Sequence, residues 1–254
     1  MTTTYDISLT AMLFTLAFVF LVMAVSYWQK LELEREILIG TVRTVIQLLA
    51  IGYVLLYIFN SRQVIFIFLM LGLMIWVAVN NAAKRGRGIP GVKWYLALGI
   101  TAAETVVLGI LVIGKIAPFT AQYVIPLSGM IIGNSMVAGG LVLNRLRAEA
   151  EGRREEIMVY LTLGATSRQA ANNAIKQTIK AAMIPTIDSM KTVGLVQLPG
   201  MMTGLIIAGV SPLLAVKYQV VVMFMIAATA AITSIMVGLT AYRRLFSENH
   251  QFLV

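Results

Sequence analysis

Residues 155–209 read EEIMVYLTLGATSRQAANNAIKQTIKAAMIPTIDSMKTVGLVQLPGMMTGLIIAG, and this stretch decides the fold. Its first part is a water-facing helix that breaks at Gly164, and Thr166 or Ser167 is suited to cap the basic helix that follows. That second helix runs to Pro185. An apolar run then begins at residue 192, interrupted at Pro199. A basic helix–turn–helix that feeds into an apolar run predicts one part against a cytoplasmic partner and one part in lipid.

The composition indicates a membrane protein. Of 254 residues, 59% are hydrophobic and 12% are charged, whereas soluble domains carry about 25% charged residues. Mean hydropathy is +0.86, and apolar runs of about 20 residues, the length that crosses a bilayer, recur along the chain. There is no Cys and the only His is His250 in the tail, which excludes disulfides, thiolate metal sites and histidine chemistry inside the membrane.

We predict an all-α polytopic membrane protein that forms one permease domain over residues 1–254. The seven predicted transmembrane helices lie at roughly 8–28, 37–59, 63–81, 94–114, 124–143, 192–210 and 219–241. Spans five and six are separated by the only long hydrophilic segment, about 145–191, which carries the helix pair described above.

The basic residues predict the orientation. Sixteen of the twenty lie in one set of connections: Lys30, Arg35, Lys84, Arg85, Arg87, Lys93, Arg145, Arg147, Arg153, Arg154, Arg168, Lys176, Lys180, Lys191, Arg243 and Arg244. Because such residues collect on the cytoplasmic side, we expect the N-terminus outside and the C-terminus inside a plasma (inner) membrane. The net charge of +9 is then mostly a topology signal, and no nucleic-acid partner is expected.

Enzymatic motifs are missing from the sequence. It contains no G-x-x-x-x-G-K-[ST] loop, no G-x-S-x-G and no H-E-x-x-H, so we expect a chain that neither hydrolyses nucleotide nor binds a cofactor itself.

Polar side chains inside the predicted spans are candidates for a substrate pathway, because the bilayer makes them costly. They are Arg43 with Gln47 one turn later, Glu104 near the midplane, and the pair Asn134 and Ser135. The alternatives stay open. Arg43 could reach the membrane surface, Glu104 could pair two helices, and the Asn134–Ser135 pair could hold helices together by hydrogen bonds.

Other residues have assignments of their own. Asp188 joins the pathway candidates as an oxygen ligand for a hard cation. Gly129 and Gly133, and Pro199 with Gly200 and Gly204, fit close helix packing. The fifteen Met residues are interpreted as flexible apolar filler rather than a soft-metal site. The sequence leaves the metal ligands unassigned.

Several motifs together resemble the FetB-type ABC transporter permeases, which comprise bacterial metal (iron) exporter subunits and plant aluminium-tolerance permeases. The likeness covers nearly the whole chain. It is carried by Leu163–Thr166, Ile184–Gly204, Ile46–Leu48, Gly129–Val137 and Lys217–Gln219.

The resemblance implies a homodimer of this chain with two copies of a separate ATPase that binds ATP and Mg²⁺. It also implies that Leu163, Gly164, Ala165, Thr166 and Ser167 contact that ATPase, since this corner is similar to the EAA loop of importer permeases. The Glu-Ala-Ala itself is missing, because Met158-Val159-Tyr160 stands there.

Two alternatives to an ATP-driven exporter remain. One is an ion-coupled carrier that works through Glu104 protonation without an ATPase. The other is a membrane scaffold or biogenesis factor with the basic loop as its docking surface. Neither the substrate nor the direction of transport follows from the residues alone.

Overall fold

A computed structural model describes residues 8–61, 63–86, 89–247 and 251–252. Over these residues the chain forms eleven α-helices: α1 Leu9–Phe14, α2 Leu16–Trp28, α3 Glu34–Ser61, α4 Val64–Ala83, α5 Val92–Ile113, α6 Ala121–Gly152, α7 Arg154–Thr162, α8 Ser167–Ala170, α9 Asn172–Thr192, α10 Gly200–Ile207 and α11 Pro212–Ala241. Short 3-10 turns follow α4 at Lys84–Gly86 and α11 at Tyr242–Leu245. The prediction of an all-α fold is confirmed.

Six helical stretches in the described part of the chain are long and apolar enough to cross a membrane: Thr10–Trp28, Glu34–Ser61, Val64–Gly86, Val92–Ile113, Ala121–Gly152 and Pro212–Leu245. They correspond to six of the predicted spans. The count of seven is not confirmed, because the predicted span at 192–210 is not one continuous helix. α9 ends at Thr192, and α10 is only 8 residues long.

Local chemistry explains the break between α9 and α10. Gly194 has φ of +82°, a conformation that glycine adopts without a Cβ penalty. The intervening turn satisfies its own backbone, since Val196 N donates to Thr192 O at 2.9 Å and Gly194 N donates to Gln197 O at 2.9 Å. Pro199 then precedes α10, and its carbonyl accepts from Thr203 N at 3.0 Å.

Pro185 does not end a helix. The sequence predicts a helix that runs to Pro185, but α9 continues through Pro185 to Thr192. A proline costs a helix one backbone hydrogen bond, and α9 offsets that cost by packing along α6 and α11. The link between the corner and the break is therefore a helix rather than a flexible segment.

The chain divides into two compact units, the first made of residues 1–63 with 207–209. In it α2 and α3 pack together across a turn held by Ser26. The Ser26 hydroxyl donates to Glu34 Oε1 at 2.7 Å and accepts from Leu33 N at 3.2 Å. Lys30 and Glu32 in this turn have φ of 54° and 56°. The side-chain hydrogen bonds hold that unfavourable backbone in place.

The second unit, residues 64–206 and 210–254, contains the larger core. Helices α5, α6 and α11 pack against one another, with α4 and α9 added around them. Leu96 and Ile100 on α5, Leu146 on α6 and Val237 on α11 have no exposed surface. These side chains belong to a cluster that also contains Ile157 of α7. The corner helices are thus part of the same core as the long helices.

Glycines set the closest approaches in this core. A Cβ on Gly99 would lie 2.8 Å from Val237 Cγ2, and one on Gly139 would lie 2.8 Å from Leu96 Cδ2. These two positions bring α5, α6 and α11 together, and the sequence motifs did not identify them. The only local signal is the Gly139-Gly140 pair.

The glycines that the sequence predicts at close helix contacts are mostly not at such contacts in the structure. A Cβ on Gly129 would meet Met74 Cε of α4 at 3.3 Å, whereas Gly133, Gly200 and Gly204 have no such neighbour within 4 Å. No other part of the described chain therefore packs closely against the last three.

Candidate functional site

The corner between α7 and α8 is closed by backbone hydrogen bonds. Gly164 has φ of +85°. Ala165 N donates to Tyr160 O at 2.9 Å, and Gly164 N donates to Leu161 O at 3.0 Å. This pair of bonds is the Schellman motif that ends many helices. The predicted helix end at Gly164 is confirmed.

The next helix begins with a capping box. Gln169 N donates to Thr166 Oγ1 at 3.4 Å, and Thr166 N donates to Gln169 Oε1 at 2.9 Å. Of the two predicted caps, Thr166 is the one used, and Ser167 is the first helical residue. Each side of the corner is thus terminated by its own hydrogen bonds, and the turn has a defined shape.

The corner presents an apolar tip on an anchored base. Leu163 at its tip is 79% exposed, while Ala170 and Ala171 just beyond it are buried. The Leu163 side chain is therefore available for contact with another protein.

An ionic cluster joins α7 to α9. Arg153 Nη1 lies 3.1 Å from Glu156 Oε2, and Asn173 Nδ2 donates to Glu156 Oε1 at 2.6 Å. The Asn173 amide and then the Arg153 guanidinium hold the pKa of Glu156 below its usual range. In return Glu156, with a contribution from Glu149, raises the pKa of Arg153. The Glu156–Asn173 hydrogen bond thus connects α7 to the start of α9, across the corner and α8.

Beyond the corner and α8, helix α9 packs directly against α11. A Cβ on Gly238 of α11 would lie 3.1 Å from Ile179 Cγ1, so the two helix backbones are close there. Ile175 and Thr178 of α9 are buried, with Thr178 fully inaccessible. A movement of the corner would therefore be transmitted through α9 to α11, because close-packed side chains transmit strain.

Glu104 of α5 is buried inside the second unit, with 5% of its surface exposed. Neither carboxyl oxygen has a hydrogen-bond partner among the described residues. Ser128 of α6 is the polar side chain beside it, but the two groups do not close a hydrogen bond, and the Ser128 hydroxyl is also unpartnered. An unpaired carboxyl in such a place is costly unless it binds a proton or a cation.

The predicted pair Asn134 and Ser135 separates into two environments. Asn134 is half-buried, and its Nδ2 donates to Met130 O within α6 at 2.8 Å. Ser135 is fully buried, and its hydroxyl lies 3.0 Å from Thr233 Oγ1 of α11. Ser135 thus connects two helices, while the Asn134 amide bonds its own helix.

The other pathway candidates lie on exposed surface. In the first unit Arg43 and Gln47 are exposed on α3. In the second unit Asp188 is exposed and its carboxylate lies 3.2 Å from Lys191 Nζ. Within their own units these three side chains are not gathered into a polar interior. Among the described residues, no group of three carboxylate or imidazole side chains is placed to hold a metal ion.

Comparison with known proteins identifies the family. The profile described as "Uncharacterised protein family (UPF0014)" matches residues 9–246. The chain belongs to the UPF0014 family. The UPF0014 membrane protein YjkA of Bacillus subtilis is 44% identical over 237 residues, covering 93% of this chain and 95% of that protein. No solved structure gives a significant match.

Two further relatives carry names that refer to metals. The "Probable iron export permease protein FetB" of Escherichia coli is 39% identical over 98% of this chain and 96% of its own length. The "Protein ALUMINUM SENSITIVE 3" of Arabidopsis thaliana is 37% identical over 93% of this chain and 86% of its own length. The resemblance drawn from the motifs is confirmed, and the chain is a membrane protein of a permease family.

Proposed function

We propose that the chain is the transmembrane permease subunit of an ATP-driven ABC exporter of metal ions. In this proposal two copies of the chain form the path, and two copies of a separate ATPase subunit bind ATP and Mg²⁺ and hydrolyse the nucleotide. The metal ion is cargo. The Escherichia coli relative's name, an iron export permease, is what suggests both the cargo and the direction.

The observation that carries the proposal is the capped corner at residues 163–167. A coupling element must not bend under load, because a flexible loop would absorb the motion of the ATPase. Here the Schellman bonds of Gly164 and Ala165 and the capping box of Thr166 close both sides of the turn. Leu163 provides the exposed apolar contact, and α9 links the corner to α11.

Crosslinking tests the proposed contact directly. The chain has no cysteine, so Leu163→Cys creates a single reactive site for a photoactivatable maleimide crosslinker. We expect the ATPase subunit to be captured from position 163. The matched control is Ala148→Cys, also exposed but on α6 away from the corner. Equal capture from both positions, or none from position 163, would contradict the assignment.

A bulky substitution tests coupling rather than proximity. Ala165→Trp is expected to weaken ATPase binding or to separate ATP hydrolysis from transport, because it enlarges the corner that enters the partner. Ala148→Trp is the control, and both variants should insert and fold alike. Normal binding and normal transport by Ala165→Trp would show that the corner does not couple the two subunits.

The proposed orientation puts the corner in the cytoplasm, with the N-terminus outside and the C-terminus inside. Sixteen of the twenty basic residues lie on the side assigned to the cytoplasm, which is the usual bias. Single cysteines at Thr4 and Asn249, which lie outside the described residues, are expected to react with membrane-impermeant maleimide from opposite sides. Labelling of both from one side would refute the orientation.

Buried Glu104 supports a second candidate, an ion-coupled carrier without an ATPase. Its unpartnered carboxyl oxygens are what a proton- or cation-exchanging group requires. Transport by vesicles that contain only this chain, driven by a pH gradient and indifferent to ATP, would favour the carrier. Transport that requires both the ATPase and ATP would favour the exporter, and a scaffold would transport under neither condition.

A further inference from the structure

A cavity of about 320 Å³ lies between α11 and the broken segment that joins α9 to α10. Val193 at the end of α9 and Met202 of α10 line one side, and Gln219, Met223 and Phe224 of α11 line the other. The cavity exists where the helix is interrupted: the chain leaves α9 at Thr192 and becomes helical again only at Gly200.

Gln219 is the one polar side chain among the described residues that line this cavity. It is 6% exposed, and its Oε1 has no hydrogen-bond partner in the described part of the chain. A buried carbonyl oxygen without a partner costs about 1–3 kcal/mol. The amide therefore provides an acceptor that a ligand with a matching donor would satisfy.

The remaining lining is apolar and adaptable. Met190, Met202 and Met223 contribute three unbranched thioether side chains, which fit themselves to ligands of irregular shape. In the described part of the chain, no charged side chain lines the cavity. An ion that entered the cavity would lose its hydration shell without gaining charged partners in exchange.

The volume of the cavity favours an organic ligand over a bare soft metal ion. A cavity of roughly 150 Å³ accommodates benzene, so about 320 Å³ accommodates a molecule of about two fused rings. A single ion would leave most of this space empty.

We infer that the cavity binds an apolar molecule of about two fused rings that carries one hydrogen-bond donor, which Gln219 Oε1 accepts. The site goes beyond the proposed export of metal ions and does not depend on ATPase coupling. Its lining includes the exposed side chains of Leu198, Val220 and Phe224, so an amphiphile dissolved in the bilayer has access to it.

Two probes of equal shape test the inference. 2-Naphthol has a hydroxyl donor, whereas 2-methoxynaphthalene has none. We expect saturable binding of both to the full-length chain in lipid nanodiscs, corrected for uptake by empty discs. 2-Naphthol should bind about 2- to 10-fold more tightly, the affinity difference that corresponds to one hydrogen bond.

Three variants locate the site. Gln219→Leu keeps the size of the side chain and removes the acceptor, so it should abolish the preference for 2-naphthol while leaving 2-methoxynaphthalene binding in place. Val220→Trp should fill the cavity and abolish binding of both probes. Ile235→Trp, at an equally exposed position of α11 outside the lining, should change neither.

Clear results would overturn the inference. Equal affinities for the two probes, or a preference that survives Gln219→Leu, would show that the amide does not receive the ligand. Binding that survives Val220→Trp would put the probes elsewhere. The absence of saturable binding to the chain would show that the cavity does not take such a ligand.

Discussion

Replacing Gly164 by alanine tests the rigidity of the corner with little steric disturbance. A Cβ at this position would meet no atom within 4 Å, so steric overpacking does not contribute to the cost of the substitution. The whole penalty comes from φ of +85°, which costs an L-residue about 1–2 kcal/mol. That penalty corresponds to a roughly 5- to 30-fold rise in the population in which the corner is open.

Amide hydrogen exchange measures this opening. In the closed corner the Ala165 amide is held by Tyr160 O and the amide of residue 164 by Leu161 O. After correction for intrinsic rates, exchange at position 165 should accelerate by about the same 5- to 30-fold in Gly164→Ala. Gly164→Asn should accelerate it less, because asparagine tolerates the left-handed conformation better.

Gly152→Ala is the matched control, since this position is equally open but its φ is not positive. There the same substitution should leave exchange at the corner unchanged, and it should stabilise the protein slightly by restricting the unfolded chain. Unchanged exchange at position 165 in Gly164→Ala would refute the reasoning, because the positive φ would then not hold the corner in shape.

Three further predictions concern the ionic cluster and the buried polar groups. Because Asn173 and Arg153 lower the pKa of Glu156 below its usual 4.5, its ionised form stabilises the folded state. This contribution is complete above pH 4.5 and is lost as pH falls through the lower folded value. The difference in melting temperature between wild type and Glu156→Gln should therefore shrink below that pH, and a constant difference from pH 7 to 3 would contradict the assignment. In the core, Thr233→Val should cost roughly 0.5–2 kcal/mol, because it removes the 3.0 Å contact with Ser135. In denaturation assays, combining it with Ser135→Ala should cost less than the sum of the two single changes. Glu104→Gln should lower transport without lowering thermal stability if the carboxyl exchanges a proton or cation, and full transport by this variant would leave Glu104 a packing role only.

Structural features that depend on residues close together in the sequence were predicted well from the sequence. A glycine after an amphipathic stretch and a threonine two residues later are enough to predict the corner, because Schellman bonds and capping boxes involve only residues within one or two turns. Apolar runs likewise predict the six long helices, since a bilayer demands about 20 apolar residues whatever the rest of the chain does.

Where local signals conflicted with packing, the tertiary structure decided. Pro185 would end an isolated helix, yet α9 passes through it because that helix packs along α6 and α11. The apolar run after Thr192 has the composition of a span, but Gly194 and Pro199 divide it, and the division opens a cavity beside α11.

The burial of particular polar groups also required the tertiary structure. Glu104, Asn134 and Ser135 all lie in predicted spans. Periodicity alone did not show that Glu104 would have no hydrogen-bond partner among the described residues, or that Ser135 of α6 would contact Thr233 of α11. Nor did it single out the unpartnered acceptor of Gln219. A sequence pattern specifies the face of a helix, whereas the partners of that face depend on how close-packed helices from distant parts of the chain fit together.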